Sequence, residues 1–179
     1  MRGRYRGRGE YVCRLWRHKR RTRTRVTVTG EPDAPAIDVG PAVSHGIDVV
    51  SIPRIVDLLE EFGTSFRNRV FTPAEQAYCE AQGDPPQHYA ARWAAKEAFL
   101  KTLTDPSPGV PTVAIEVDRR TDGPRLSLAP AASHALADTL DELGTSLEAA
   151  DIDVSLSHDR TAGYAVGSVT VVSAASRHD

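Results

Sequence analysis

The chain has 179 residues, with 22 Lys and Arg against 24 Asp and Glu, 40% hydrophobic residues and 6% aromatics. These values describe one globular domain of ordinary size and exclude collagen, global disorder and a large multidomain enzyme. No apolar run approaches the roughly 20 residues of a membrane-spanning helix, and two cysteines, Cys13 and Cys79, cannot make a disulfide framework or a four-thiolate zinc site. No secretory apolar segment follows the N-terminal charges, so a soluble protein of the reducing cytoplasm is expected.

The balanced charge conceals a division. Residues 1–25 carry eleven of the 22 basic residues and one acid, Glu10, which leaves the remainder with 11 basic against 23 acidic residues, a net of −12. Such a stretch repels itself and has little to bury, predicting a disordered arm. Gly30 to Pro41, rich in Pro, Gly and acids, reads as a linker. The organisation is therefore arm and linker over 1–43, a folded domain over 44–174 and a tail at 175–179. Arg-Gly repeats with Tyr5 and Tyr11 can also neutralise phosphates and stack on bases, so a nucleic-acid-binding protein acting through the arm is one alternative. A solvated extension without a role is the blander one.

Within the domain, Gly46-Ile47-Asp48-Val49-Val50 is a short strand with Ile47 and Val49 on one face and Asp48 with Val50 on the other. Ile52, Ile55, Leu58, Leu59 and Phe62 follow at helical spacing, and Gly63 is a candidate stop. Thr72-Pro73-Ala74-Glu75 supplies a capping hydroxyl, a first-turn Pro and a Glu three residues after the cap, predicting a second helix that ends near Gly83. Residues 87–103, Ala-rich and free of Gly and Pro, form the strongest predicted helix. Val113, Ile115 and Val117 alternate with polar neighbours, Asp122-Gly123-Pro124 turns, and Leu126 and Leu128 alternate again, a hairpin. A helix over 131–143 with Leu136, Leu140 and Leu143 inward precedes two strands, Ile152 to Leu156 and Tyr164 to Val172, joined by Ser157 to Gly163. The class is α+β, with mostly antiparallel sheet packed against helices.

Ser157, His158 and Asp159 resemble a catalytic triad in a row, but consecutive residues cannot fold back into a relay. No His pair at helical spacing or Cys cluster points to zinc, and neither a P-loop nor a G-x-G-x-x-G after a strand is present. What remains is oxygen-ligand chemistry. Asp48 and Glu97 each lie in an apolar segment where an unpaired carboxylate is costly. A hard cation completed by water and substrate phosphates relieves that cost, and Lys101, one turn beyond Glu97, can meet a phosphate oxygen. A Glu97–Lys101 surface pair and an Asp48 bonded to a loop account for the same residues without any chemistry.

Four blocks then converge on one family: Gly46-Ile47-Asp48-Val49-Val50 with Arg54-Ile55; Phe66-Arg67-Asn68-Arg69-Val70-Phe71-Thr72-Pro73 with Glu75; Ala91-Arg92-Trp93-Ala94-Ala95-Lys96-Glu97-Ala98-Phe99 with Lys101; and Val154-Ser155-Leu156-Ser157-His158-Asp159. In that order they resemble holo-acyl-carrier-protein synthase, the small 4'-phosphopantetheinyl transferases, over roughly residues 44 to 172. The resemblance implies the fold of that family and transfer of 4'-phosphopantetheine from coenzyme A to a serine of an apo acyl carrier protein, with Mg²⁺ and release of adenosine 3',5'-bisphosphate. It assigns Asp48 and Glu97 to the metal, Glu97 to the serine proton and Lys101 to the departing phosphate. It also assigns Arg92, Lys96 and His158 to coenzyme A, and Arg54, Phe66, Arg67 and Arg69 to carrier docking. Trp93 reads as core.

Acyl carrier proteins are acidic, so local cations on a −12 domain would steer their association. The single unit and lack of an internal repeat correspond to the homotrimeric branch of the family, with active sites between subunits and no membrane role. Two departures stand out. A Pro-rich segment, Leu103 to Gly109, replaces the Gly-rich turn usual after Lys101, and Gly123 meets Pro124 without the usual intervening basic residue. An inactive relative that only docks carriers is the remaining alternative.

Overall fold

The computed structural model describes residues 41–104 and 109–174. The arm expected over residues 1 to about 30, most of the linker, the Pro-rich centre of the loop after Lys101 and the tail at 175–179 lie outside the described residues. β1 (Ala42–Ser51) leads into α1 (Ile52–Val70), α2 (Pro73–Glu80) and α3 (Pro85–Leu100). A 3-10 turn at Thr112–Ala114 opens the hairpin of β2 (Ile115–Arg120) and β3 (Gly123–Leu128), followed by α4 (Pro130–Glu142) and the strands β4 (Ala150–Asp159) and β5 (Tyr164–Ser173). One antiparallel sheet has the order β1-β5-β4, and β2-β3 form the other.

Most elements fall where the sequence places them, and the departures have local causes. α1 does not stop at Gly63. That residue takes φ 49 and ψ −121, a conformation open to glycine, and the helix resumes through Val70 because Phe66 and Val70 continue its buried face. α2 ends at Glu80, short of Gly83. Its start carries the complete capping box, Thr72 Oγ1 accepting from the Glu75 amide and Glu75 Oε2 accepting from the Thr72 amide at 2.8 Å. The last hairpin is longer than alternation suggests. Its ladder runs on to Asp159 opposite Tyr164, so His158 lies in β4 rather than in a loop. Asp159 is the turn former there, its Oδ1 accepting from the amides of Thr161 and Ala162.

α3 lies across the inner face of the three-stranded sheet, and small residues set the distance. A Cβ on Gly46 would come within 2.0 Å of the Ala98 carbonyl oxygen, and one on Gly167 within 2.3 Å of the Ala95 amide nitrogen. Ala90, Ala94, Ala95 and Ala98 line the helix face and are fully buried. Two apolar clusters fill the flanks, one around Phe99, Ile115, Leu136 and Val169, the other around Ile55, Phe66, Phe71 and Tyr89. Cys79 sits in the second, where burial pushes its thiol up to about 12, so it is chemically quiet.

The opposite face of this sheet is uncovered by the described residues. Val43, Ile47 and Val49 of β1 are each more than half exposed, and Val43 pairs with exposed Val172 of β5. No helix among the described residues is long and apolar enough to cross a membrane.

Gly167→Ala is expected to lower unfolding stability by about 3 kcal/mol, because backbone on both sides leaves nothing flexible to yield. Urea denaturation measures it, and a loss below about 1 kcal/mol would show that the helix can lift from the sheet at little cost.

Candidate active site

Asp48 and Lys101 meet where α3 ends over β1. Alternation along β1 turns Asp48 to the helix side, as it does Gly46, whose missing side chain lets the end of α3 approach. Lys101 Nζ donates to Asp48 Oδ1 and to the Ile47 carbonyl, both at 2.6 Å. The Asp48 side chain is 12% exposed and that of Lys101 32%, so the pair lies at the surface of the core and open to a ligand. Glu97 is one turn earlier on α3, its Oε1 accepting from Trp93 Nε1 at 3.0 Å. Trp93, read as core, also packs against Phe66 with centroids 5.3 Å apart, so it both packs and positions Glu97. The spacing of 93, 97 and 101 held that signal: an indole donor one turn before an acid can orient it.

Strand and helix thus supply two carboxylates, Asp48 bonded to Lys101 and Glu97 one turn before Lys101 on α3. Both supply oxygen donors, which suits a hard divalent cation rather than zinc. Among the described residues no three His, Cys, Asp or Glu side chains gather as a metal cage. A cation held by Asp48 and Glu97 would therefore keep positions for water and a phosphate-bearing substrate. The donor set fits Mg²⁺ in that role.

Lys96 requires a correction. It is expected at coenzyme A phosphates, yet it has no exposed surface. Its ammonium donates to Glu75 Oε2 at 2.6 Å, the Val70 carbonyl at 2.7 Å and the Thr112 carbonyl at 3.1 Å, which uses all three protons. Burial pulls its pKa down while Glu75 opposes the fall. Glu75 in turn accepts from the amides of Thr72 and Val117. The pair joins α1, α2, α3 and β2 from inside and leaves nothing for a ligand. The sequence showed Glu75 only as a cap; its second use depends on a contact 21 residues away along the chain.

Arg92, on the same helix, borders a cavity of about 270 Å³ lined by Ala74, Tyr78, Glu116 and Arg119 among others. Its guanidinium lies 3.9 Å over the Tyr78 ring, and its Nε is buried with no hydrogen-bond partner. An unpartnered donor beside a cavity is what an anionic ligand would satisfy. Arg119, which sequence reasoning passed over, lines the same space. His158, at the exposed end of β4, stacks edge-on against His88 of α3 with centroids 5.0 Å apart. His158 thus meets the first turn of α3 through His88, while Asp48 and Lys101 meet at the C-terminal end of that helix.

Of the expected docking residues, Phe66 is corrected. It is 3% exposed and packs edge-on against Phe71 at 5.8 Å, so it belongs to the core. Arg54 and Arg69 are exposed at opposite ends of α1. Arg67 is half-buried and bonded to Glu80 at 2.8 Å. The Tyr89 hydroxyl and Arg67 together hold the Glu80 carboxyl below its usual range.

Comparison with known proteins shows the family. A family model described as the 4'-phosphopantetheinyl transferase superfamily matches residues 44–161. A holo-[acyl-carrier-protein] synthase of Gloeobacter violaceus is 40% identical over 128 residues, 71% of this chain and 90% of that one. The crystal structure of holo-[acyl-carrier-protein] synthase from Neisseria meningitidis superposes with a TM-score of 0.58 at 31% identity, covering 72% of this chain and 96% of that one. The Chronobacterium ammoniagenes ACPS-CoA complex gives 0.60 at 28% identity, over 75% and 99%.

Lys96→Met is expected to destabilise the fold by about 3 to 5 kcal/mol, because it strands a buried carboxylate. Lys96→Met combined with Glu75→Gln should recover part of that loss in a thermal or urea unfolding cycle. Additive losses would mean that the two side chains act independently.

Proposed function

The chain belongs to the 4'-phosphopantetheinyl transferase superfamily, and on that premise we propose that it acts as a holo-acyl-carrier-protein synthase. Coenzyme A is the donor, a serine of an apo acyl carrier protein the acceptor, and adenosine 3',5'-bisphosphate the leaving product. The observation that carries this reading is the contact of Lys101 with Asp48, one helical turn from Glu97. Reactive groups for a phosphoryl centre thereby converge from a strand and a helix.

Asp48 and Glu97 would hold Mg²⁺, which when bound neutralises charge on the coenzyme A pyrophosphate. The serine oxygen forms a bond to the β-phosphorus as the bond from that phosphorus to the bridging oxygen breaks. Glu97, fixed by the Trp93 N–H, accepts the serine proton directly or through an intervening water. Lys101 offsets charge on the departing α-phosphate and is placed to return a proton to it. Arg92, with its unpartnered Nε, and His158 would receive the nucleotide end of the donor. Arg54, Arg67 and Arg69 would meet the acidic carrier, with Arg67 released from Glu80 as a carrier carboxylate takes its place.

The uncovered apolar face of the β1-β5-β4 sheet supports a homotrimer with active sites between subunits. Val43, Ile47 and Val49 give that face the exposed apolar surface that a second copy would cover. Cytoplasmic residence accords with the buried, unpaired Cys79.

Intact-mass analysis of an apo acyl carrier protein with this enzyme, coenzyme A and Mg²⁺ should show gain of one phosphopantetheine, lost with EDTA. No gain across fatty-acid and polyketide carriers would overturn the assignment. Glu97→Gln should cost at least about 100-fold in transfer rate with unchanged unfolding behaviour; a rate near the parent's would remove Glu97 from the proton transfer. Sedimentation should report a trimer that Ile47→Glu reduces to monomer, and a monomeric parent would refute the assembly.

A further inference from the structure

Of the three cations expected at the carrier, one is already occupied. Arg54 and Arg69 are exposed, and neither pairs with an acid among the described residues. Arg67 lies with Arg69 in the last turn of α1, and it donates from Nη1 to Glu80 Oε1 at 2.8 Å and from Nη2 to Thr64 Oγ1 at 3.4 Å. Glu80 closes α2, at the helix end where the dipole opposes a carboxylate. A second donor holds it there: the hydroxyl of Tyr89, a fully buried residue of α3, donates to the same Oε1 at 2.9 Å.

The two donors differ in what they can do. Tyr89 is packed in the core against Phe71, with ring centroids 4.7 Å apart, so its hydroxyl stays with Glu80. The Arg67 side chain is 31% exposed and that of Glu80 47%, so the guanidinium can exchange one carboxylate for another without leaving either group dry. After such an exchange Glu80 keeps the Tyr89 hydrogen bond and its contact with solvent, unlike buried Glu75, for which loss of Lys96 strands a charge. Hydrogen bonds from Tyr89 first and Arg67 second hold the Glu80 carboxyl below its usual range, so it is charged wherever the acids of a partner are.

We propose that Glu80 is a built-in competitor of the carrier: in the free enzyme its carboxylate occupies the place at Arg67 that a carrier carboxylate takes on docking, so that this contact exchanges one acid for another and adds little net affinity. This rests on the synthase reading, in which an acidic carrier meets Arg54, Arg67 and Arg69. The exchange has a use in that reaction. The modified carrier presents the same acidic surface as the unmodified one, so a cation that bound both more tightly would slow release as much as it helped capture. Arg54 and Arg69 remain to steer the encounter, while Glu80 takes Arg67 back as the product leaves. The effect is that of an exposed ion pair, severalfold in affinity.

Steady-state transfer kinetics, with an apo acyl carrier protein varied at saturating coenzyme A and Mg²⁺, test this. Glu80→Gln removes the charge and keeps an oxygen for the Tyr89 hydroxyl, and KM for the carrier should fall about threefold to fivefold. The same variant should leave kcat at or below the parent's value and KM for coenzyme A within about twofold. Glu80→Ala gives the same readout should the amide disturb folding, which urea unfolding checks. With Arg67→Gln in place, Glu80→Gln should change the carrier KM by less than about 1.5-fold, because the cation it frees is gone. An unmoved or raised carrier KM in a folded variant, or the same fall without Arg67, overturns the role of Glu80; a raised value would show that Glu80 orients Arg67 instead. A parent that modifies no carrier overturns the synthase reading and the role of Glu80 with it, whereas transfer with an unmoved carrier KM overturns that role alone.

Discussion

The site depends on how closely α3 can approach the sheet. Helices normally stand about 10 Å from a sheet because side chains fill the space between, but here Gly46 and Gly167 face a row of alanines and backbone meets backbone. The end of the helix is lowered onto β1, and a lysine in its final turn reaches both the carbonyl and the carboxylate of adjacent strand residues. One larger side chain at either glycine would separate Asp48 from Lys101 before it altered any group that touches substrate. Conformational freedom is not the reason for these two glycines, since neither takes a positive φ.

The same helix carries charge of two kinds in consecutive residues. Lys96 turns inward and is consumed by Glu75 and two carbonyls; Glu97 turns to the site. A buried ion pair contributes little net stability because both groups lose their water. Its effect is to remove alternatives: any rotation of α3 that moved Glu97 would break a bond to Lys96 in a dry environment. The indole of Trp93 adds a second restraint from the preceding turn. Rigidity at Glu97 therefore comes from polar contacts whose cost is borne in the interior, away from the reacting atoms.

These two features mark what could be read in the chain and what could not. Amphipathic spacing, the Thr72–Glu75 capping box and the alternation at Ile115 to Leu128 are local signals, and the elements they predict are present. Asp48 and Glu97 stood out as acids in apolar segments, but a surface pair and a loop bond explain the same pattern, and only the resemblance gave them and Lys101 roles. Lys96 and Phe66 were misread because motif membership does not state which way a side chain faces, and the direction of each is fixed by contacts far along the chain. The continuation of α1 past Gly63 was hidden for a related reason: a local glycine signal is outweighed by apolar residues that only tertiary packing rewards. Arg119 carries no sequence anomaly, and only the folding of β2 toward α3 brings it to the cavity beside Arg92.

Charge then distributes along α3 in a manner suited to a long, polyanionic donor. At its C-terminal end, where the helix dipole favours cations, Lys101 bonds Asp48 one turn beyond Glu97. Toward its N-terminus, buried Arg92 lies over Tyr78 beside the cavity that Arg119 also lines, and half-buried His88 stands edge-on to His158. About four turns of helix, roughly 20 Å, separate Lys101 from His88, a span that an extended nucleotide with its pyrophosphate can bridge. A donor seated in this way would have its chemistry at one end and its recognition at the other. Loss of the recognising cations would then weaken binding without disturbing the geometry in which Glu97 meets the serine.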